Sequence, residues 1–345
     1  MRLLVTGGAG FIGSNFCHYL AGERPDWRVT VLDKLTYAGR RENLEELESG
    51  KGLRFIQGDI CRPEDVAGAM EDCDAVVNFA AETHVDRSIQ DSADFVRTDM
   101  EGVRVLLEEF GNHGGGTFLQ VSTDEVYGSV EKGRSGEDDL LRPTSPYSAS
   151  KAGGELLAMS YWHTHRTPVV VARSSNNYGP RQYPEKLIPL FLTNAMDGQR
   201  LPLYGDGMNR RDWLYVEDNC RALLLLLEEG RPGRVYNVGA GQELTNLEVT
   251  EAILEAVGAP RDLVSFVDDR PGHDRRYALD VSRVSEELGW RPEVGFQEGL
   301  RRTAQWYMEN REWWEEIKSG RFREYYQRMY SDRLRRAEQR EEKEL

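Results

Sequence analysis

Short apolar runs recur along the first half of the chain, at 3–6, 28–33, 53–57, 75–78, 117–122 and 168–173, and helical spacing separates most of them. Strands alternating with helices predict a parallel sheet covered on both faces, because parallel neighbours need long crossover connections. In such sheets the carboxyl ends of the strands border the ligand crevice. The residues expected there are Asp59, Asn78-Phe79-Ala80-Ala81, Ser122-Thr123-Asp124-Glu125 and 173–177. Beyond Asn177 the alternation fades into Pro- and Gly-punctuated segments, among them Tyr178-Gly179-Pro180 and Leu201-Pro202-Leu203-Tyr204-Gly205-Asp206-Gly207. A helix at 216–229 is expected to return to the first domain. Trp306, Tyr307, Trp313, Trp314, Phe322, Tyr325 and Tyr326 fall in helical stretches and are expected to pack against the body. The charged run 333–345 predicts a solvated helix or a frayed tail, and Gly114-Gly115-Gly116 a loop.

The first strand runs into Thr6-Gly7-Gly8-Ala9-Gly10-Phe11-Ile12-Gly13 and then a helical pattern. Glycines there permit a tight turn and the close approach of a pyrophosphate, whose charge sits at the helix N-terminus. The spacing Gly-x-x-Gly-x-x-Gly is a variant of the dinucleotide fingerprint. Asp33 closes the second strand, where an acid reaches the adenosine ribose and repels a 2′-phosphate, so NAD is expected over NADP. A plain turn and a strand-end cap are the duller readings of these residues; their joint register favours the dinucleotide. The predicted fold is α/β. A Rossmann-type doubly wound parallel sheet forms an NAD-binding domain over 1–177, rejoined by 212–235. A smaller C-terminal substrate-binding domain comprises 178–211 and 236–300, and 301–345 is a helical region with a charged tail.

Ser145-Pro146-Tyr147-Ser148-Ala149-Ser150-Lys151 reads as a helix start, with Ser145 able to cap free N–H groups and Pro146 suited to the first turn. Tyr147 and Lys151 then share a helix face. A tyrosine ionises near pH ~10, so it works as a base only beside a cation that stabilises the phenolate. Lys151 is placed to be that cation. Thr123, Asp124 and Glu125 follow the strand ending at Ser122, within reach of Tyr147. Two adjacent acids can divide acid and base work if their environments push their pKa values apart. They could equally be strand-end caps.

A formal charge of -15 argues against a nucleic-acid surface and requires that any anionic ligand meet a locally basic pocket. Arg210-Arg211 and Asp269-Arg270-Pro271-Gly272-His273-Asp274-Arg275-Arg276 are candidates for it. No apolar run approaches the ~20 residues of a membrane helix, and no signal-peptide pattern precedes the first strand. A soluble, cytoplasmic protein is expected. Cys17, Cys61, Cys73 and Cys220 lack metal or Cys-x-x-Cys spacing, so neither zinc nor disulfides are expected.

The glycine turn, Asp33-Lys34-Leu35-Thr36-Tyr37-Ala38-Gly39, Ala80-Ala81-Glu82-Thr83-His84-Val85-Asp86-Arg87, Thr123-Asp124-Glu125-Val126-Tyr127-Gly128, Ser174-Ser175-Asn176-Asn177-Tyr178-Gly179-Pro180, Pro184-Glu185-Lys186-Leu187-Ile188-Pro189 and 269–276 together resemble the extended short-chain dehydrogenase/reductase family. Within that family they resemble the dTDP-glucose 4,6-dehydratases, over nearly the whole chain. The resemblance implies a lyase that converts dTDP-glucose to dTDP-4-keto-6-deoxyglucose in deoxysugar synthesis, with tightly held NAD, as a homodimer. It implies Tyr147 with Lys151 as the base for oxidation at C4, Asp124 as the acid for the departing C6 hydroxyl, Glu125 as the base at C5, and Thr123 beside them. Gly7, Gly10, Phe11, Ile12, Gly13, Asp33, Lys34, Leu35, Thr36, Asp59, Ile60, Phe79, Ala80, Ala81, Thr83, Thr98, Tyr147, Lys151 and Asn177 would hold NAD. Thr83, Thr123, Asn176, Lys186, Leu187, Ile188, Pro202, Leu203, Tyr204, Arg211, Asn246, Asp269, Arg270, Pro271, Gly272 and His273 would hold the nucleotide sugar. One departure is Asp99, where the resembling proteins usually carry Asn after Thr. A UDP- or CDP-glucose dehydratase, a nucleotide-sugar epimerase or decarboxylase, and a catalytically silent NAD-binding protein are the competing readings.

Overall fold

The structure, a computed structural model, describes residues 1–50, 52–113 and 115–344. Gly114 of the expected loop and Leu345 of the expected tail lie outside the described residues. The first half runs β1 (Arg2–Thr6), α1 (Phe11–Glu23), β2 (Arg28–Asp33), α2 (Glu45–Glu48), β3 (Leu53–Gln57), α3 (Pro63–Met70), β4 (Ala75–Asn78), α4 (Val85–Gln90), α5 (Ala93–Val96), α6 (Val103–His113), β5 (Phe118–Thr123), α7 (Pro146–His165) and β6 (Val169–Ser174). It continues with β7 (Asn176–Tyr178), α8 (Leu187–Met196), β8 (Leu201–Tyr204), β9 (Arg210–Tyr215), α9 (Val216–Glu229), β10 (Arg234–Val238), β11 (Glu243–Thr245), α10 (Asn246–Val257), β12 (Val264–Val267), α11 (Ser282–Leu288), α12 (Phe296–Glu309), α13 (Arg311–Ser319) and α14 (Arg321–Glu344).

The large sheet is parallel, seven-stranded and ordered β10-β6-β5-β4-β1-β2-β3. Its strand order reverses between β1 and β4, which opens a crevice at their carboxyl ends. Leu3, Val5, Val77 and Leu119 face α1 and α9 on one side, while Leu4, Val76, Phe118 and Val171 face α3, α6 and α7 on the other. A second core joins α8, α10, β8 and β9 to α12, α13 and α14 through Tyr178, Phe191, Trp213, Tyr307 and Trp314.

Two features cross the boundaries expected from sequence. β10 pairs with β6 from Arg234↔Val170 to Val238↔Ser174, so the return to the large sheet runs three residues past 235 and includes a strand as well as α9. β7 pairs with β9 in a separate three-stranded sheet with β11, which places Asn177 on the substrate side. The charged tail is helical: Ala337 is buried, and Arg336 and Arg340 reach Asp268, the former at 3.4 Å. Among the described residues no helix is long and apolar enough to cross a membrane, and no cluster of His, Cys, Asp or Glu could hold a metal ion.

Candidate active site

The crevice between β1 and β4 holds an elongated cavity. Gly7 has φ +67, and a Cβ there would lie 2.6 Å from the Ala80 nitrogen. A Cβ on Gly13 would collide with the Gly7 carbonyl. α1 starts at Phe11 with Gly10 as its N-cap, no side chain capping it and no acid in its first turn, so its free N–H groups and positive end face the cavity. Asp33 lines the same cavity and accepts from Ala9 N at 2.9 Å and Leu35 N at 2.8 Å, although burial pushes its pKa up. Lys34 pairs with Asp59 at 2.8 Å.

Gly7, Gly10, Phe11, Ile12, Gly13, Asp33, Lys34, Thr36, Asp59, Ile60, Phe79, Ala80, Ala81, Thr83, Thr98, Tyr147 and Lys151 all border this cavity. Two residues expected there do not. Leu35 takes φ 55 and turns its side chain into the core under the sheet, and Asn177 lines the neighbouring cavity. The glycine cradle, the uncapped helix end and a carboxylate in place of a phosphate-binding cation fit NAD.

α7 begins as its sequence predicts, with a reciprocal Ser145–Ser148 capping box and Pro in its first turn. That start aims Tyr147 at a point where the first cavity meets a second. Thr83, Ser122, Tyr147, Gln182 and Lys186 line both. Thr123, Asp124 and Glu125 line the second only. Asp124 is 3 % exposed; Thr123 Oγ1 donates to its Oδ1 at 3.2 Å, and Oδ2 is buried without a partner among the described residues. Burial, then the charges of Glu125 and Asp212, push the Asp124 pKa well above its ordinary value, which favours the proton-donating form. Glu125 is half-buried, its Oε2 3.5 Å from the Tyr277 hydroxyl. The adjacent acids thus occupy different surroundings.

Burial first, then Glu125, Asp99 and Asp124, push the Tyr147 phenol well above its ordinary value, against the pull of the Thr123 hydroxyl. Lys151 donates to the Val121 carbonyl at 2.9 Å, and burial lowers its own pKa.

The second cavity runs from the acids to the end of β8. Asn176, Lys186, Leu187, Ile188, Pro202, Leu203, Tyr204, Arg211, Asn246, Arg270 and His273 line it as expected. Lys186, Arg211 and Arg270 supply the basic pocket that the acidic chain requires, and burial lowers the pKa of Lys186 and Arg211. Arg211 lies over Tyr277, 4.2 Å from the ring centre, and Arg270 faces Asp86 at 3.5 Å. Buried Asn176 Oδ1, Asn177 Oδ1, Gln182 Oε1 and Arg270 Nε lack partners among the described residues, as expected of groups that meet a polar ligand.

Asp269, Pro271 and Gly272 do not line the cavity; Asp269 instead holds His273 Nδ1 at 2.6 Å. Burial and the neighbouring arginines lower His273 to about 4, so its ring is neutral. Sequence reasoning missed Tyr277, Asp86, His84 and Tyr330 as cavity residues. His84 and Asp86 lie within a motif already singled out, and Tyr277 adjoins another. Tyr330 arrives from α14 with no local signal.

This is a Rossmann-fold nucleotide-sugar enzyme of the extended short-chain type. The GDP-mannose 4,6 dehydratase family matches residues 4–303, so α14 lies beyond the matched span. The chain is 54 % identical to a dTDP-glucose 4,6-dehydratase of Streptomyces niveus over 92 % of this chain and 96 % of that protein. The structure of the Streptomyces venezuelae dTDP-glucose 4,6-dehydratase DesIV, solved with NAD bound, superposes with TM-score 0.90 at 51 % identity, covering 92 % of this chain and 100 % of the other. A Thermus thermophilus UDP-glucose 4-epimerase in complex with NAD follows at TM-score 0.83 and 35 % identity, covering 90 % and 100 %. The chain belongs to this dehydratase family of extended short-chain dehydrogenases/reductases and stands among its dTDP-glucose 4,6-dehydratases.

Proposed function

We propose that the protein is an NAD-dependent dTDP-glucose 4,6-dehydratase. One observation carries the reading: Tyr147 stands at the junction of the two cavities with Asp124 and Glu125 on the substrate side. An epimerase has no use for that acid pair, since it removes no C5 proton and expels no water. When bound, NAD accepts a hydride from C4, returns it to C6, and brings a positive charge beside Tyr147. Tyr147 takes the proton of the C4 hydroxyl, so a ketone forms at C4. The ketone acidifies the C5 hydrogen, which Glu125 removes. Asp124 gives its proton to the C6 hydroxyl, the C6–O bond breaks and water leaves. Glu125 then returns its proton to C5; the sugar has lost one water, and the proton gained by Tyr147 balances the one given by Asp124, exchanged through solvent before the next turnover.

Lys186, Arg211 and Arg270 hold the diphosphate, the arginines through their rigid donor forks. Pro202, Leu203, Tyr204, Asn246 and His273 lie at the far end, where the nucleobase sits. The family resemblance further supports a cytoplasmic homodimer, checked by light scattering on the eluted protein. The test of function is to supply dTDP-, UDP- and CDP-glucose separately and identify products by mass and NMR. A 4-keto-6-deoxy product from dTDP-glucose is expected. A product that retains its C6 hydroxyl, or turnover of UDP- or CDP-glucose in preference, overturns the assignment.

A further inference from the structure

The far wall of the substrate cavity is built in part by α14. Tyr330 lines the cavity beside Tyr204; the rings stack with centroids 6.1 Å apart and planes at 30°. Arg333, one turn on, places its guanidinium carbon 4.9 Å from the centre of the Tyr204 ring and donates to the Tyr204 hydroxyl at 2.6 Å. His273 meets that ring edge-on at 6.0 Å. Tyr204 is therefore held from its ring face, its edge and its hydroxyl, two of the three by α14.

The helix is itself anchored at both ends. Tyr325 packs edge-on to His84 at 5.7 Å and lies 4.3 Å under the Arg87 guanidinium, while Arg336 and Arg340 grip Asp268. Asp268 immediately precedes Asp269, the partner of His273. Phe322, Tyr326, Tyr330, Arg333, Ala337 and Arg340 recur at spacings of three and four, so one face makes all of these contacts.

We propose that α14 is a specificity wall: Tyr330 and Arg333 fix the Tyr204 ring as the platform on which the nucleobase of the nucleotide sugar stacks. The inference rests on the nucleotide-sugar reading above. A stacking ring that is free to rotate must be immobilised on binding, which weakens affinity; one already clamped is not penalised. α14 contributes to the substrate cavity and to no part of the cofactor cavity, so its influence belongs to binding rather than to the chemical steps.

The experiment compares the full-length protein with Arg333→Ala, Tyr330→Ala and Tyr330→Phe. Calorimetric binding of dTDP and steady-state kinetics with dTDP-glucose are the readouts. Arg333→Ala and Tyr330→Ala are expected to weaken dTDP binding and raise KM about tenfold with kcat within about twofold of wild type; Tyr330→Phe, which keeps the ring, stays near wild type. Unchanged dTDP affinity in both alanine variants overturns the proposal, as does a fall in kcat with KM unmoved. If the wild type binds dTDP without converting dTDP-glucose, the dehydration reading fails, and the dTDP comparison still decides the role of α14. If the wild type converts dTDP-glucose while the alanine variants bind dTDP normally, only the role of α14 falls.

Discussion

The Thr123 hydroxyl donates to Oδ1 of Asp124 at 3.2 Å, leaving Oδ2 buried on the wall of the substrate cavity with no partner among the described residues. A carboxyl so placed resists ionisation, because burial and the charge of Glu125 both oppose it. Asp124→Asn keeps the shape and removes the proton, so kcat should fall about 10²–10³-fold with KM little changed. Oxidation at C4 and proton removal at C5 would persist. Sugar recovered from the variant in deuterium oxide should therefore carry deuterium at C5. Absence of both exchange and turnover would place Asp124 at an earlier step.

Tyr147 and Lys151 share a helix face and the cofactor cavity, but only Tyr147 also lines the substrate cavity. Tyr147→Phe should lower kcat by about 10²–10⁴-fold and leave NAD in the purified protein, since only the proton acceptor is lost. Lys151→Met removes the donor to the Val121 carbonyl and should deplete the NAD that co-purifies. Cofactor released by acid from each preparation separates the two roles. Equal NAD content in both variants would count against the division.

The first domain was legible because its signals are local. β1, the glycine turn and Asp33 announce themselves within a few residues, and Ser145-Pro146 marks the start of α7. Asp124 and Glu125 followed from their place at the end of β5. What was not legible depends on distant chain. β7 and β11 have three residues each and show no periodicity, so their pairing with β9 could not be read. The upward push on Tyr147 comes partly from Asp99, 48 positions away in the sequence. Tyr330 lines a site only because α14 folds back over β8 and β12, and Leu35 points inward because its positive φ reverses the expected direction.

Arg87 links three parts of the chain. Its guanidinium lies 3.8 Å from the Tyr37 ring centre and 4.3 Å from that of Tyr325, and donates to buried Glu185 at 3.2 Å. Tyr37 also donates to Glu185, at 2.7 Å, and stands in the loop that borders the cofactor cavity through Thr36 and Ala38. Arg87→Ala would leave the Glu185 charge buried with fewer partners, at a cost of about 3 kcal/mol in unfolding free energy. Arg87→Lys should recover part of that loss, because an ammonium keeps the charge but not the planar stack. Denaturant midpoints measure both. An alanine variant as stable as wild type would mean that Tyr37 and Lys186 suffice for Glu185.

The effect of the buried Asp99 carboxyl should depend on pH. It is 2 % exposed and accepts from Ser150 Oγ at 2.5 Å and from Glu82 N at 3.1 Å. Burial raises its pKa from 3.8 to about 6, against the pull of Lys151 and these two donors. Between those values the folded protein binds more protons than the unfolded chain, so stability falls as pH rises through the window and stays lowered above it. Asp99→Asn can keep both contacts and has no charge to bury. It should match wild type below pH about 4 and exceed it by about 1–3 kcal/mol above pH about 6. The Asp99 charge also raises Tyr147, so the rising limb of kcat should move to lower pH in the variant. Denaturant unfolding at several pH values checks the first expectation and a pH–rate profile the second. A stability gain of the same size at acid and neutral pH would trace the effect to hydrogen-bond geometry instead of charge.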